Sequence, residues 1–129
     1  MMMQSDIGLI GLAVMGENLA LNMESKGFPV AVFNRTAAVT EKFVTTRGKG
    51  KKITSTKTIE EFIAALKRPR KVMMMIKAGK PVDQVIAEVA ALLEKGDVLI
   101  DGGNSLFTDT QRRFHDLEGK GIHYIGCGV

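Results

Sequence analysis

Six consecutive residues, Gly11-Leu12-Ala13-Val14-Met15-Gly16, stand where a short apolar run gives way to an amphipathic one, and their spacing suits the cradling of a phosphate. A glycine at the first position permits a tight turn, and one at the last lets the following helix pack closely on the preceding strand. The helix start between them offers free N–H groups to a pyrophosphate. The form is G-x-A-x-x-G, so Ala13 replaces the glycine that would allow the closest approach. A diphosphate would sit slightly farther out or be held through water. Such a hexad is weak evidence alone; an apolar strand before it, a helix after it and a second strand at the expected distance give it weight.

That second strand ends in Asn34-Arg35-Thr36. Dinucleotide sites that take NAD usually place Asp or Glu here, accepting hydrogen bonds from the ribose 2′-hydroxyl. A carboxylate would repel a 2′-phosphate, whereas Asn34 and Thr36 are neutral hydrogen-bonding groups and the Arg35 guanidinium can fork onto phosphate oxygens. The expected cofactor is NADP. A charge-assisted contact of about 1.5–3 kcal/mol corresponds to a preference on the order of 10- to 100-fold.

Two further turns follow later apolar runs, Ile76-Lys77-Ala78-Gly79-Lys80 and Asp101-Gly102-Gly103-Asn104-Ser105. Ala78 and Gly79 let a dinucleotide pass close to the backbone, and Gly102 and Gly103 let Asn104 present its amide to a nicotinamide or a substrate. Met73, Met74 and Met75 read as core strand, not as a metal or redox feature. The single cysteine, Cys127, admits no internal disulfide, and His115 and His123 have no metal-ligand spacing with it. No metal site is expected.

These residues need a scaffold, and the pattern around them supplies one. Short apolar runs near 7–10, 30–33, 72–76, 98–100 and 123–125 read as strands, and amphipathic stretches fill the intervals. Met15, Leu19 and Met23 mark the first helix, with Gly27 after its last turn. Ile59, Phe62, Ile63 and Leu66 mark a short helix that ends before Pro69, with Thr58 and Glu61 at capping-box spacing. Pro81 opens a helix with Val82, Val85, Ile86, Val89 and Leu93 on one face, terminated by Gly96. A last helix is expected from about Asp109 to Leu117, with Thr108 and Gln111 at capping-box spacing. Residues 47–55 are basic, glycine-containing and aperiodic, and read as a mobile loop. The fold class that results is α/β: a Rossmann-type doubly wound parallel sheet in three layers. Its five strands take the order 3-2-1-4-5, with the ligand crevice at the carboxyl ends of strands one and four.

At 129 residues the chain suits one domain, spanning 1–129. The net charge of +4 and the basic clusters Arg47–Lys52 and Lys67–Lys71 raise the question of nucleic acid, but with six Phe, one Tyr and no Trp, and no aromatic within either cluster, a base-stacking surface is not visible. The basic balance favours a phosphorylated small ligand instead. No apolar run approaches the roughly 20 residues of a membrane span, and the first residues lack the pattern of a signal peptide, so a cytoplasmic protein is expected.

The tract GLAVMGENLALNMESKGF, the NRT after the second strand, the PR before the third, IKAG, DGGN followed by DTQRR, and the terminal GCGV together resemble the N-terminal part of the 6-phosphogluconate dehydrogenase family. The resemblance spans essentially the whole chain. It implies NADP contacts at Gly11, Leu12, Ala13, Val14, Met15 and Gly16, at Asn34, Arg35 and Thr36, at Ile76, Lys77 and Ala78, and at Asn104, which would also lie beside the sugar substrate. It implies that the parent oxidises 6-phosphogluconate, loses CO2 and yields ribulose 5-phosphate within the pentose phosphate pathway. In the family a lysine is the base and a glutamate the acid, and both are expected beyond Val129, leaving no catalytic residue in this chain. A large helical domain, which supplies most contacts of the family homodimer, is expected to be missing, making this a truncated, cofactor-binding piece. Two alternatives stay open: a domain of a related β-hydroxyacid dehydrogenase, which shares the glycine turn, and a free-standing nucleotide-binding module.

Overall fold

The computed structural model describes residues 4–76, 79–103 and 107–127. Strands apolar at successive positions must be covered on both sides, and this selects a parallel sheet between helical layers. The strands are β1 (Ile7–Ile10), β2 (Val30–Phe33), β3 (Ile53–Ser55), β4 (Lys71–Met74), β5 (Val98–Asp101) and β6 (His123–Gly126). They form one sheet in the order β3-β2-β1-β4-β5-β6, parallel at every junction. The helices between them are α1 (Val14–Ser25), α2 (Ala37–Thr45), α3 (Ile59–Ala64), α4 (Lys80–Ala90) and α5 (Phe107–Glu118).

Alternation along each strand divides the core in two. Leu9, Val30, Val32 and Ile53 pack with Ala20 of α1 and Phe43 of α2. Ile10, Ala31, Phe33, Val72, Met74 and Leu99 pack on the opposite side with Phe62 and Ile63 of α3, Val82, Val85 and Val89 of α4, and Leu117 of α5. The result is the expected three-layered doubly wound fold. Local signals agree with it. Past α1, Gly27 N–H donates to Glu24 O (2.9 Å) and Phe28 N–H to Met23 O (3.2 Å), a Schellman ending with Gly27 at φ +94°. Thr58 caps α3 by accepting from Glu61 N–H at 3.1 Å.

Several expectations are corrected. Residues 47–55, expected as one loop, end in β3. Ile53 is buried, and the edge of β2 takes up the segment's backbone groups, with Val30 N–H donating to Lys52 O (3.0 Å) and Thr56 N–H to Val32 O (3.1 Å). A five-stranded order would have placed the Val72 segment outside β2; β3 occupies that position, and Val72 pairs with Gly8 of β1. The strand order therefore reverses between β1 and β4, not at the segment of Val98. The Val72 strand stops at Met74, although Met75 N–H still reaches Ile10 O at 2.8 Å.

In α1 the buried positions are Gly16 and Ala20, while Met15 stands half-exposed, because small residues must face the sheet where the helix leaves the turn so closely. α4 ends at Ala90, ahead of Leu93, and Gly96 at φ +95° serves the turn into β5. α5 begins at Phe107, so Thr108 lies inside its first turn and not at its cap. Among the described residues no helix is long and apolar enough to cross a membrane.

Candidate functional site

The site lies at the carboxyl edge of the sheet. Gly11 leaves β1 at φ +103°, a backbone conformation that side chains resist, and its N–H donates to Phe33 O at 3.0 Å. A Cβ at Gly11 would also meet the Met75 carbonyl carbon at 2.9 Å, and one at Gly16 would run into the Gly11 carbonyl oxygen. The spacing of the two glycines is thus a packing requirement of this turn. Ala13 is extended at the start of α1, and no side chain caps the helix there. The first intrahelical bond is donated by Glu17 N–H to Ala13 O at 2.9 Å, so helix geometry leaves the amides ahead of it for an outside acceptor. Val14 and Met15 project outward, 72% and 52% exposed.

Asn34 does something its type did not reveal. Its Oδ1 accepts from Leu12 N–H at 3.0 Å and its Nδ2 donates to Thr36 O at 3.4 Å, so it clamps the glycine turn to the end of β2. Leu12 and Asn34 are therefore engaged with each other. Arg35 extends from the same strand end and its Nη2 reaches Glu88 Oε1 of α4 at 3.3 Å. Thr36 is exposed at the start of α2, and its hydroxyl makes no capping bond.

A cleft of about 160 Å³ gathers Ile10, Gly11, Asn34, Arg35, Ile76, Pro81 and Val85. Of the expected site residues, Gly11, Asn34, Arg35 and Ile76 thus share one cavity, and residues 12–16 form the turn and helix start beside it. Lys77, Ala78 and Asn104 lie outside the described residues. A larger groove of about 420 Å³, with Ile7, Met23, Phe28 and Pro69 in its walls, opens at the amino edge, away from the glycine turn.

A buried polar cluster, marked by no sequence motif, lies beneath the last two turns. Asp101 ends β5; its Oδ1 accepts from Gly103 N–H at 2.9 Å, and its Oδ2 accepts from the Tyr124 hydroxyl at 3.2 Å and lies 3.6 Å from Arg113 Nη1. Arg113 is 2% exposed, donates through Nε to Asp83 Oδ1 of α4 at 2.9 Å, and reaches the Gly79 carbonyl at 3.3 Å. One guanidinium so joins the turn after β4 to the turn after β5. The Arg113 hydrogen bond holds the Asp83 carboxyl below its ordinary range, outweighing burial. Burial, followed by the Asp101 charge, pushes the Tyr124 hydroxyl up to about 12. The signal available in the sequence was the arginine pair 112–113 placed one helix beyond a strand-ending aspartate. Among the described residues no three His, Cys, Asp or Glu side chains group as metal ligands, and Cys127 is exposed with a free thiol.

A nucleotide diphosphate fits what is present: a turn that only glycine can form, an uncapped helix start, and a neighbouring strand end without a carboxylate. Comparison with known proteins agrees. Residues 6–129 match the family described as the NAD binding domain of 6-phosphogluconate dehydrogenase. The chain is similar to the decarboxylating 6-phosphogluconate dehydrogenase of Synechocystis sp., 59% identical over 128 residues, covering 99% of this chain and 27% of that protein. Against the Saccharomyces cerevisiae enzyme, decarboxylating 1, identity is 54% over 127 residues, covering 98% of this chain and 26% of the relative. A solved Plasmodium falciparum 6-phosphogluconate dehydrogenase, studied in its apo form and in complex with NADP+ and with 6-phosphogluconate, superposes with a TM-score of 0.85 at 47% identity, over 92% of this chain and 26% of that one. A Mycobacterium tuberculosis 3-hydroxyisobutyrate dehydrogenase shares the fold at 20% identity and a TM-score of 0.81, over 98% of this chain and 41% of that one. The chain spans about a quarter of the length of the 6-phosphogluconate dehydrogenases it matches. With residues 6–129 matched, the chain belongs to the family of the NAD-binding domain of 6-phosphogluconate dehydrogenase.

Proposed function

We propose that this chain is the NADP-binding part of a decarboxylating 6-phosphogluconate dehydrogenase. The observation that carries the choice of cofactor is the strand end Asn34-Arg35-Thr36, which itself contributes a guanidinium and no carboxylate to the cleft beside the glycine turn. When bound, NADP supplies the hydride acceptor for oxidation of the substrate. Residues 11–16 would receive the pyrophosphate, because the N–H groups of Val14, Met15 and Gly16 precede the first intrahelical bond of α1. Asn34 fixes that turn, Arg35 and Thr36 take the 2′-phosphate, and Ile76, Pro81 and Val85 form an apolar wall for the adenosine. We assign Lys77 and Ala78 to the cofactor as well, and Asn104 to the nicotinamide and the sugar acid.

The whole enzyme is a homodimer of the cytoplasm, within the pentose phosphate pathway. The test is a calorimetric titration with NADP and with NAD, repeated on Arg35→Ala. NADP is expected to bind tighter by on the order of 10- to 100-fold, with most of that margin lost in the variant. Equal affinities in the unaltered protein refute the 2′-phosphate assignment, and binding of neither nucleotide overturns the reading entirely.

A further inference from the structure

Along α4, Pro81, Val85 and Glu88 follow one another at four- and three-residue spacing, which stacks them on a single face of the helix. Pro81 and Val85 line the nucleotide cleft, and Glu88, at the far end of that row, reaches across to Arg35, with Nη2 and Oε1 3.3 Å apart. The two side chains are 59% and 48% exposed, so the pair opens at small cost. No second ion pair engages Arg35 among the described residues.

Resting on the assignment of Arg35 to the 2′-phosphate, we propose that Glu88 is a specificity-determining residue that opposes NADP and so sets how strongly this site discriminates between the two nucleotides. In the ligand-free protein its carboxylate holds the guanidinium that the phosphate needs. Once Arg35 turns to the phosphate, the same carboxylate is left close to a second anion, which costs further free energy. NAD incurs neither penalty, because its ribose 2′-hydroxyl is neutral and can itself donate to a carboxylate. The structure therefore contains both halves of a cofactor preference, a cation that attracts the phosphate and a movable counter-charge that restrains it. No fold change is needed to shift the balance, only the charge at residue 88.

The test is titration of the 129-residue protein and its Glu88→Gln variant with NADP and with NAD, at low and at high salt, alongside Arg35→Ala. Glu88→Gln is expected to tighten NADP by roughly two- to fivefold and leave NAD within error, the usual range for an exposed pair, with the gain shrinking as salt rises. In Glu88→Lys the gain should be larger. If Arg35→Ala weakens NADP while Glu88→Gln changes nothing, the role of Glu88 is overturned and that of Arg35 stands. If Glu88→Gln tightens both nucleotides equally, the effect is not one of phosphate charge and the proposal falls. If Arg35→Ala leaves NADP unaffected, the assignment of Arg35 and the proposal built on it fail together.

Discussion

Tyr124 is the protein's single tyrosine, and there is no tryptophan, so the near-ultraviolet absorbance of its phenolate can be followed without interference. The side chain is buried in β6, and its hydroxyl donates to Asp101 Oδ2 at 3.2 Å. Ionising it would bury a charge and set it against the Asp101 carboxylate. Arg113 pulls in the other direction but does not prevail, and the group is pushed from 10.0 up to about 12. A gap of that size is worth roughly 3 kcal/mol between the neutral and ionised forms. The folded value is the higher one, so the stabilisation is fully present below pH 10, where the unfolded chain would begin to ionise. It is lost as pH rises through 10 toward 12. Spectrophotometric titration, with circular dichroism to follow the fold, should give a midpoint well above 10. Urea unfolding should show Tyr124's contribution constant up to about pH 10 and declining by as much as roughly 3 kcal/mol beyond, a slope that Tyr124→Phe removes. A midpoint near 10 in protein that is still folded would refute the burial argument.

Three other outcomes are expected. Arg113→Ala leaves Asp101 buried without its cation and should cost about 3–5 kcal/mol in urea unfolding, with Arg113→Lys costing less; a loss below about 1 kcal/mol would contradict the ion-pair account. Gly16→Ala drives a methyl into the Gly11 carbonyl and should destabilise by about 1–3 kcal/mol while abolishing nucleotide binding, so wild-type affinity in that variant would refute the geometry of the turn. Asn34→Ala removes the acceptor for Leu12 N–H, worth about 1 kcal/mol, and should weaken NADP and NAD alike; a selective loss of NADP would instead place Asn34 on the 2′-phosphate.

What could be read from the sequence was whatever depends on near neighbours. The glycine turn was legible because six adjacent residues define it, and Thr58 was legible as a cap because its partner is three residues away. β3 was missed because it is only three residues long, follows a basic glycine-rich stretch and buries Ile53 alone; its identity as a strand comes from the open edge of β2. Missing it displaced the strand order, since without an outer strand the Val72 segment had nowhere else to go. Asn34 lines the cleft, and its bonds to Leu12 and Thr36 join two strand ends that are 22 residues apart, a pairing that residue type alone does not encode. The pairing of Arg35 with Glu88 and the burial of Arg113 depend on partners on other elements, which no local periodicity encodes.

The central place of β1 bears on how the protein assembles. It pairs on one side with β2, the next along the chain, and on the other with β4, which follows only after α2, β3 and α3. The β1 to β3 half joins segments that follow one another along the chain, whereas the β1–β4 contact closes a much longer loop. The cleft is divided along the same seam, with Gly11, Asn34 and Arg35 on the earlier half and Ile76, Pro81 and Val85 on the later one. A nucleotide seated there holds the seam closed. Its binding energy acts on the contact of longest loop closure, and hydrogen exchange should slow most, on adding NADP, at the β1–β4 junction.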